Sequence, residues 1–140
     1  MKNNKSVLMT ISFFVIALLI PFSAYAIFAK LSTNLTATAT INNMTPKGKA
    51  YVDQSSYPSK PGTLSINIYD INLADGTKMD VYVSDCSPNL VATLVISGKR
   101  ASLKTALPSS CQVGRLATIT VNNPYSGTSA LKGGNPWSTR

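Results

Sequence analysis

Thr63-Leu-Ser-Ile-Asn-Ile-Tyr-Asp-Ile-Asn-Leu-Ala-Asp-Gly-Thr-Lys-Met-Asp-Val-Tyr-Val-Ser84 is the stretch from which the fold is read. On its first arm Leu64, Ile66 and Ile68 alternate with Ser65, Asn67 and Tyr69. On the second, Met79, Val81 and Val83 alternate with Asp80, Tyr82 and Ser84. A period of two puts each apolar set on one side of a pleated strand. Asp75-Gly76 between the arms is a tight-turn dipeptide, so the stretch is expected to form a β-hairpin with one face in need of cover. Asp70-Ile71-Asn72-Leu73 moves the apolar phase from even to odd positions, a slip that predicts a bulge or bend. Tyr69 and Tyr82, on the polar phase of the two arms, are expected as cross-strand neighbours on the outer face. There they are candidate surface contacts for a glycan or a protein partner.

Working outward, the same alternation recurs. Leu35, Ala37, Ala39 and Ile41 share one face of a strand whose other face is threonine, and Lys49–Asp53 supplies a shorter strand through Ala50 and Val52. Leu90–Ile96 is apolar almost throughout, which predicts a central strand covered on both sides. Lys99–Leu107, Arg115–Val121 and Thr128–Lys132 complete the set, the last as an edge strand. Roughly seven or eight short strands with turn signals between them predict an all-β fold. The expected fold is an antiparallel β-sandwich, immunoglobulin-like in the loose architectural sense.

The N-terminus reads differently. Lys2 and Lys5 precede the apolar run Val7–Ile20, Pro21 follows, and Ser23-Ala24-Tyr25-Ala26 offers a small-x-small cleavage pattern after Ala26. A retained anchor is the alternative, although the run is shorter than the about 20 residues of a spanning helix. The expected organisation is a signal peptide over 1–26, a lead-in over 27–34, the β-domain over 35–133 and a tail over 134–140. The membrane is then met only through an uncleaved signal segment. Removing Lys2 and Lys5 lowers the net charge from +8 to +6. A positive field favours anionic surfaces, but no arginine cluster or aromatic-interleaved basic run announces specific nucleic-acid reading.

Cys86 and Cys111 each sit in a Ser/Pro-rich loop of a chain read as exported. One disulfide between them is expected, tying two loops at one end of the fold. The chain-entropy model values such a closure at about 3 kcal/mol. Trp137, the single tryptophan, has two readings. Either its ring folds back over the end of the core, or it is a further surface contact.

The chain has no His and no Glu; its five acids are all Asp. That composition removes a Ser-His-Asp triad and most general acid–base and zinc arrangements. The aspartates have no calcium-ligand spacing. No catalytic, metal or cofactor residue is assigned, and no cofactor is expected.

Ile71–Val83, then Val91–Ile96 and Gly98-Lys-Arg-Ala-Ser-Leu103, resemble a small repeat domain of bacterial secreted proteins. That domain carries a Leu-Pro-Asp-Gly-Thr hairpin, a hydrophobic strand, a Gly-Gly turn and an Ala-x-Leu strand. The resemblance covers about half the chain after the signal segment, and its motifs are turns rather than sites. Ala74 stands where proline is usual and Lys99 at the second turn glycine, and the cysteine pair is extra. The resemblance implies a compact β-sandwich module and transfers no catalytic residue.

The functional expectation is an exported, non-enzymatic structural or surface-interaction module. It would be periplasmic, cell-surface or extracellular, with an unidentified protein or glycan of the cell envelope as partner. The alternative is an assembly subunit in which Leu35–Ile41 or a neighbouring edge pairs with another chain. A small secreted hydrolase comes third.

Overall fold

The computed structural model describes residues 29–140, so the signal segment and its cleavage residue Ala26 lie outside the described residues. The described chain is all-β. Its strands are β1 (Lys30–Ala37), β2 (Lys47–Asp53), β3 (Thr63–Tyr69), β4 (Lys78–Val83), β5 (Leu90–Val95), β6 (Arg100–Ala106), β7 (Thr118–Asn122), β8 (Ser129–Gly134) and β9 (Ser138–Thr139). All pair antiparallel in the order β5-β4-β7-β8-β1-β2-β3-β6, with β9 against β1. The sheet curls into a sandwich that nearly closes as a barrel. Alternation explains the core. Leu31, Leu35, Val52, Leu64, Ile66, Ile68, Met79, Val81, Val83, Ile119, Val121 and Leu131 all point inward and are buried.

The hairpin expected over Thr63–Ser84 does not form. β3 pairs with β2 and β6, whereas β4 pairs with β5 and β7. The connection is an arch across one end of the barrel, and the phase slip is its cause. Asp70 takes a positive φ of 60°, which turns the chain inward. Ile71 and Leu73 are then buried over the end of the core, and burying two such side chains stabilises the arch. Asp75-Gly76 still makes a tight turn, with the Thr77 N–H donating to Ala74 O. That turn is attached to the β5–β6 connection instead. The Gly76 N–H donates to Ile96 O at 2.8 Å, and Asp75 Oδ1 accepts from the Gly98 N–H at 2.8 Å. Gly76 has φ +83°, which a side-chain-bearing residue rarely adopts.

Three strand assignments also move. β1 starts at Lys30, so the expected lead-in is largely strand, and Ala39 is exposed rather than inward-facing. β1 and β8 are interior strands. β5, expected at the centre, is an edge strand, with Val95 52% and Leu90 43% exposed.

The tail is part of the sheet. β8 covers the far half of β1, at Thr36 and Ala37, and β9 covers the near half, at Leu31 and Ser32. Between them the chain detours through Asn135-Pro136-Trp137 and drives the indole into the core, where Trp137 is fully buried. The detour depends on Gly134, at φ +84°, where an added Cβ would lie 2.2 Å from Ala117 O.

β5 and β6 are the two free edges, and they face each other across a seam. At one end the seam is closed by the Ser97–Arg100 turn, whose two residues exchange backbone hydrogen bonds. At the other end it is clipped by the Cys86–Cys111 disulfide and by the Ser110 hydroxyl donating to Ser87 O at 3.2 Å. The bridge therefore does tie two loops at one end of the fold, and what it holds shut is that end of the gap between the two edge strands.

Candidate functional site

The outward phase of β1, β2, β3 and β6, together with β8 and β9, carries the feature that separates this face from the rest. Paired residues in an antiparallel sheet share a face, so the registers define rows across the strands. The first row runs Lys132, Thr36, Lys47, Tyr69, Arg100. The second runs Asn34, Lys49, Asn67, Ser102, and the third Ser138, Ser32, Tyr51, Ser65, Lys104. The fourth has Lys30, Asp53, Thr63 and Ala106, extended by Arg140, whose N–H donates to Lys30 O.

Seven of the eleven basic residues after Lys5 stand on this one wall, beside one of the five acids. The other four, Lys60, Lys78, Lys99 and Arg115, share the remaining surface with Asp70, Asp75, Asp80 and Asp85, so their formal charges cancel. In the first row a neutral residue separates each cation from the next. Like charges therefore sit two strands apart, roughly 9.5 Å, which is close to the screening length of about 10 Å at 0.1 M salt.

The wall's one acid is already engaged. Asp53 Oδ1 accepts from the Ser55 hydroxyl at 2.7 Å and from the Ser55 N–H at 3.1 Å, and Lys30 Nζ lies 3.9 Å from Oδ2. These hydrogen bonds, with smaller help from Lys30 and Lys104, hold the carboxyl below its usual range despite some desolvation. The Arg140 guanidinium lies 5.0 Å from the centre of the Tyr51 ring, a cation–π arrangement.

Clefts mark the same wall. One of about 450 Å³ is lined by residues including Lys30, Tyr51, Ser65, Lys104 and Arg140. A second of about 240 Å³, including Ser32, Asn34, Lys49 and Ser138, shares Tyr51 and Arg140 with it. A third, of about 700 Å³, sits where the seam opens and includes Asn67, Tyr69, Val95, Arg100 and Ser102.

Of the residues singled out from sequence, Tyr69 lies on this wall, 38% exposed, opposite Lys47 and Arg100. Tyr82 does not neighbour it. Tyr82 is half-buried on β4, opposite Thr120 and Leu90, with four strands between the two tyrosines in the sheet order. Trp137 is not a surface contact, because its ring is in the core and its Nε1–H donates to Ala117 O at 2.8 Å. Cys86 and Cys111 are both buried and bonded to each other.

The basic wall was missed because its residues come from six separate segments and are scattered along the chain. One local signal was there. In Lys47-Gly-Lys-Ala-Tyr-Val-Asp53, Lys47, Lys49, Tyr51 and Asp53 occupy the outward phase of a single strand.

Four aspartates have structural partners. Asp53 caps Ser55, Asp75 holds Gly98, and Asp80 Oδ1 accepts from the Thr93 hydroxyl at 2.8 Å. Asp85 accepts from the Gly114 N–H at 2.9 Å and from the Ser84 hydroxyl at 3.0 Å. Among the described residues, no three metal-ligating side chains converge. Compared with known protein families, with curated proteins and with solved structures, the chain matches none.

Proposed function

We propose that this chain is an exported, non-enzymatic surface-interaction module that binds anionic polymers of the cell envelope through its basic wall. One observation carries the reading: the net positive charge of the β-domain is concentrated on the outward phase of one wall. Concentrating like charge costs self-repulsion, and a field of one sign attracts polyanions. The sequence contains no histidine and no glutamate, and four of the five aspartates are engaged in hydrogen bonds, three at loops or turns and Asp80 between two strands. That distribution of acids favours binding over hydrolysis. The N-terminal segment and the disulfide support an oxidising compartment.

The test is salt-dependent binding of the purified protein to envelope fractions. Binding is expected to weaken steeply as salt rises, and Lys47→Glu with Lys49→Glu is expected to abolish it. Retention unaffected by salt and by those substitutions would remove the reading, as would robust turnover of a glycan or peptide substrate lost on replacing one Asp or Ser.

A second reading has its own observation. Leu90 and Val95 are exposed on the edge strand β5, where unpaired backbone invites strand pairing. An assembly subunit using this edge would change mass with concentration in light scattering, and Val95→Lys would leave it monomeric.

A further inference from the structure

The third row of the wall differs from its neighbours in bulk. Ser138, Ser32 and Ser65 are short, and Tyr51 is the one large side chain between them. Long side chains stand in the flanking rows: Lys49 on one side, Lys30 and Arg140 on the other. The outcome is a trench across five strands, made of the two adjoining clefts that meet at Tyr51 and Arg140. Lys104 ends it on β6 and Ser138 ends it on β9, with the Arg140 guanidinium over Tyr51 between them. Four strand spacings separate these ends, roughly 19 Å.

Building on the basic wall as the working surface, we infer that this trench holds a linear acidic glycan laid across the strands. The floor offers hydroxyl groups, and Asn34 and Asn67 add amides in the next row. Such short, adaptable donors and acceptors match the many hydroxyls of a sugar chain. The cations at its β6 end, at its middle and along its sides pair with acidic groups on the repeat, with Arg140 stacked on Tyr51 at the middle.

Single-stranded nucleic acid fits less well. It asks for successive aromatic platforms, and here the Tyr51 ring is already covered on one face by Arg140 while Tyr69 stands two rows away. A membrane surface asks for apolar side chains beside the cations. Among the described residues, Tyr69 is the one exposed large hydrophobic on this wall and Val95 borders it across the seam, while Leu90, Leu116 and Tyr125 lie elsewhere.

The purified protein is titrated with galacturonate monomer, with longer linear oligogalacturonates, and with a linear phosphate-bridged mannan. The two polymers distinguish carboxylate from phosphate as the recognised group, and neutral dextran is the control. The expected result is binding to one of the acidic polymers that strengthens with length until the trench is spanned, and none to monomer or dextran. Lys104→Glu is expected to weaken it roughly tenfold. The decisive variant is Ser65→Arg, which adds positive charge while filling the floor between Tyr51 and Lys104. Trench binding predicts weaker glycan affinity, and attraction by charge alone predicts stronger.

A gain with Ser65→Arg overturns the trench. So does equal affinity for monomer and oligomer. If oligothymidylate or phosphatidylglycerol vesicles bind through Lys49 and Lys104 while neither acidic glycan does, the glycan inference fails and the basic wall stands. If no polyanion binds, both fail.

Discussion

The two walls of this barrel share an interior and differ outside. On β1, β2 and β3 the inward phase is Leu31, Leu35, Ala50, Val52, Leu64, Ile66 and Ile68; on β4 and β7 it is Met79, Val81, Val83, Ile119 and Val121. Either set buries aliphatic surface equally well. Outward, the first wall carries almost all the unbalanced charge, whereas the second presents Thr118, Thr120, Thr93 and Tyr82, with Asp80 paired to Thr93. Folding constrains the inward phase and leaves the outward phase free, so an uneven outward phase is where binding is to be sought.

The largest expected effect comes from breaking the joint between the walls. Trp137 belongs to the tail that pairs with β1, yet its N–H donates to Arg115 O and its indole N–H to Ala117 O, just before β7. Trp137→Ala is expected to cost about 3–5 kcal/mol by loss of buried area and cavity formation, read from urea unfolding. A loss below 1 kcal/mol would mean that the walls hold together without it. Next comes the seam. Cys86→Ala with Cys111→Ala is expected to cost about 3 kcal/mol. Hydrogen exchange should speed up at β5 and β6 and stay unchanged at β2; uniform acceleration would show that the bridge does not act on the seam in particular.

A smaller effect separates the outer faces directly. Lys49→Glu is expected to weaken polyanion binding roughly tenfold, while Lys78→Glu, the same change on β4, should leave it within about twofold at physiological salt. Equal losses would show that net charge, not its placement, governs binding.

The smallest effect is a pH response. The Asp53 carboxyl is depressed by Ser55, so its folding contribution is complete above the unfolded carboxylate pKa and disappears as pH falls through its lower folded value. With no histidine in the chain, binding should be flat from pH 5 to 8, the window in which that side chain titrates. As pH falls through that depressed value, protonation of Asp53 removes the wall's one negative charge. Affinity for a phosphate-bridged polymer, whose phosphodiesters stay ionised, should then rise slightly, and Asp53→Asn should remove the rise. A steep change near neutrality would point to a group outside this account.

Much of the fold could be read locally. Alternation in Thr63–Tyr69 and Lys78–Val83 identified two strands and their buried faces, and Cys86 with Cys111 identified the bridge. Pairing was misread where a strong local signal had a second use. Asp75-Gly76 makes its tight turn, but Ile71 and Leu73 had already carried the chain across the core, so the turn meets Ile96 and Gly98. Leu90–Val95 is apolar because it lines the seam, a setting that its residues alone do not distinguish from a central strand.

By itself the sequence determined strand character, the buried phase and the available chemistry, because each depends on neighbours one or two residues away or on composition. Tertiary structure alone decided that β3 and β4 lie in opposite walls, that Trp137 enters the core, and that Lys30, Lys47, Lys49, Arg100, Lys104, Lys132 and Arg140 share one face. Those facts follow from register between strands distant in the chain. Register is set by how the whole inward phase packs, so no single segment carries it.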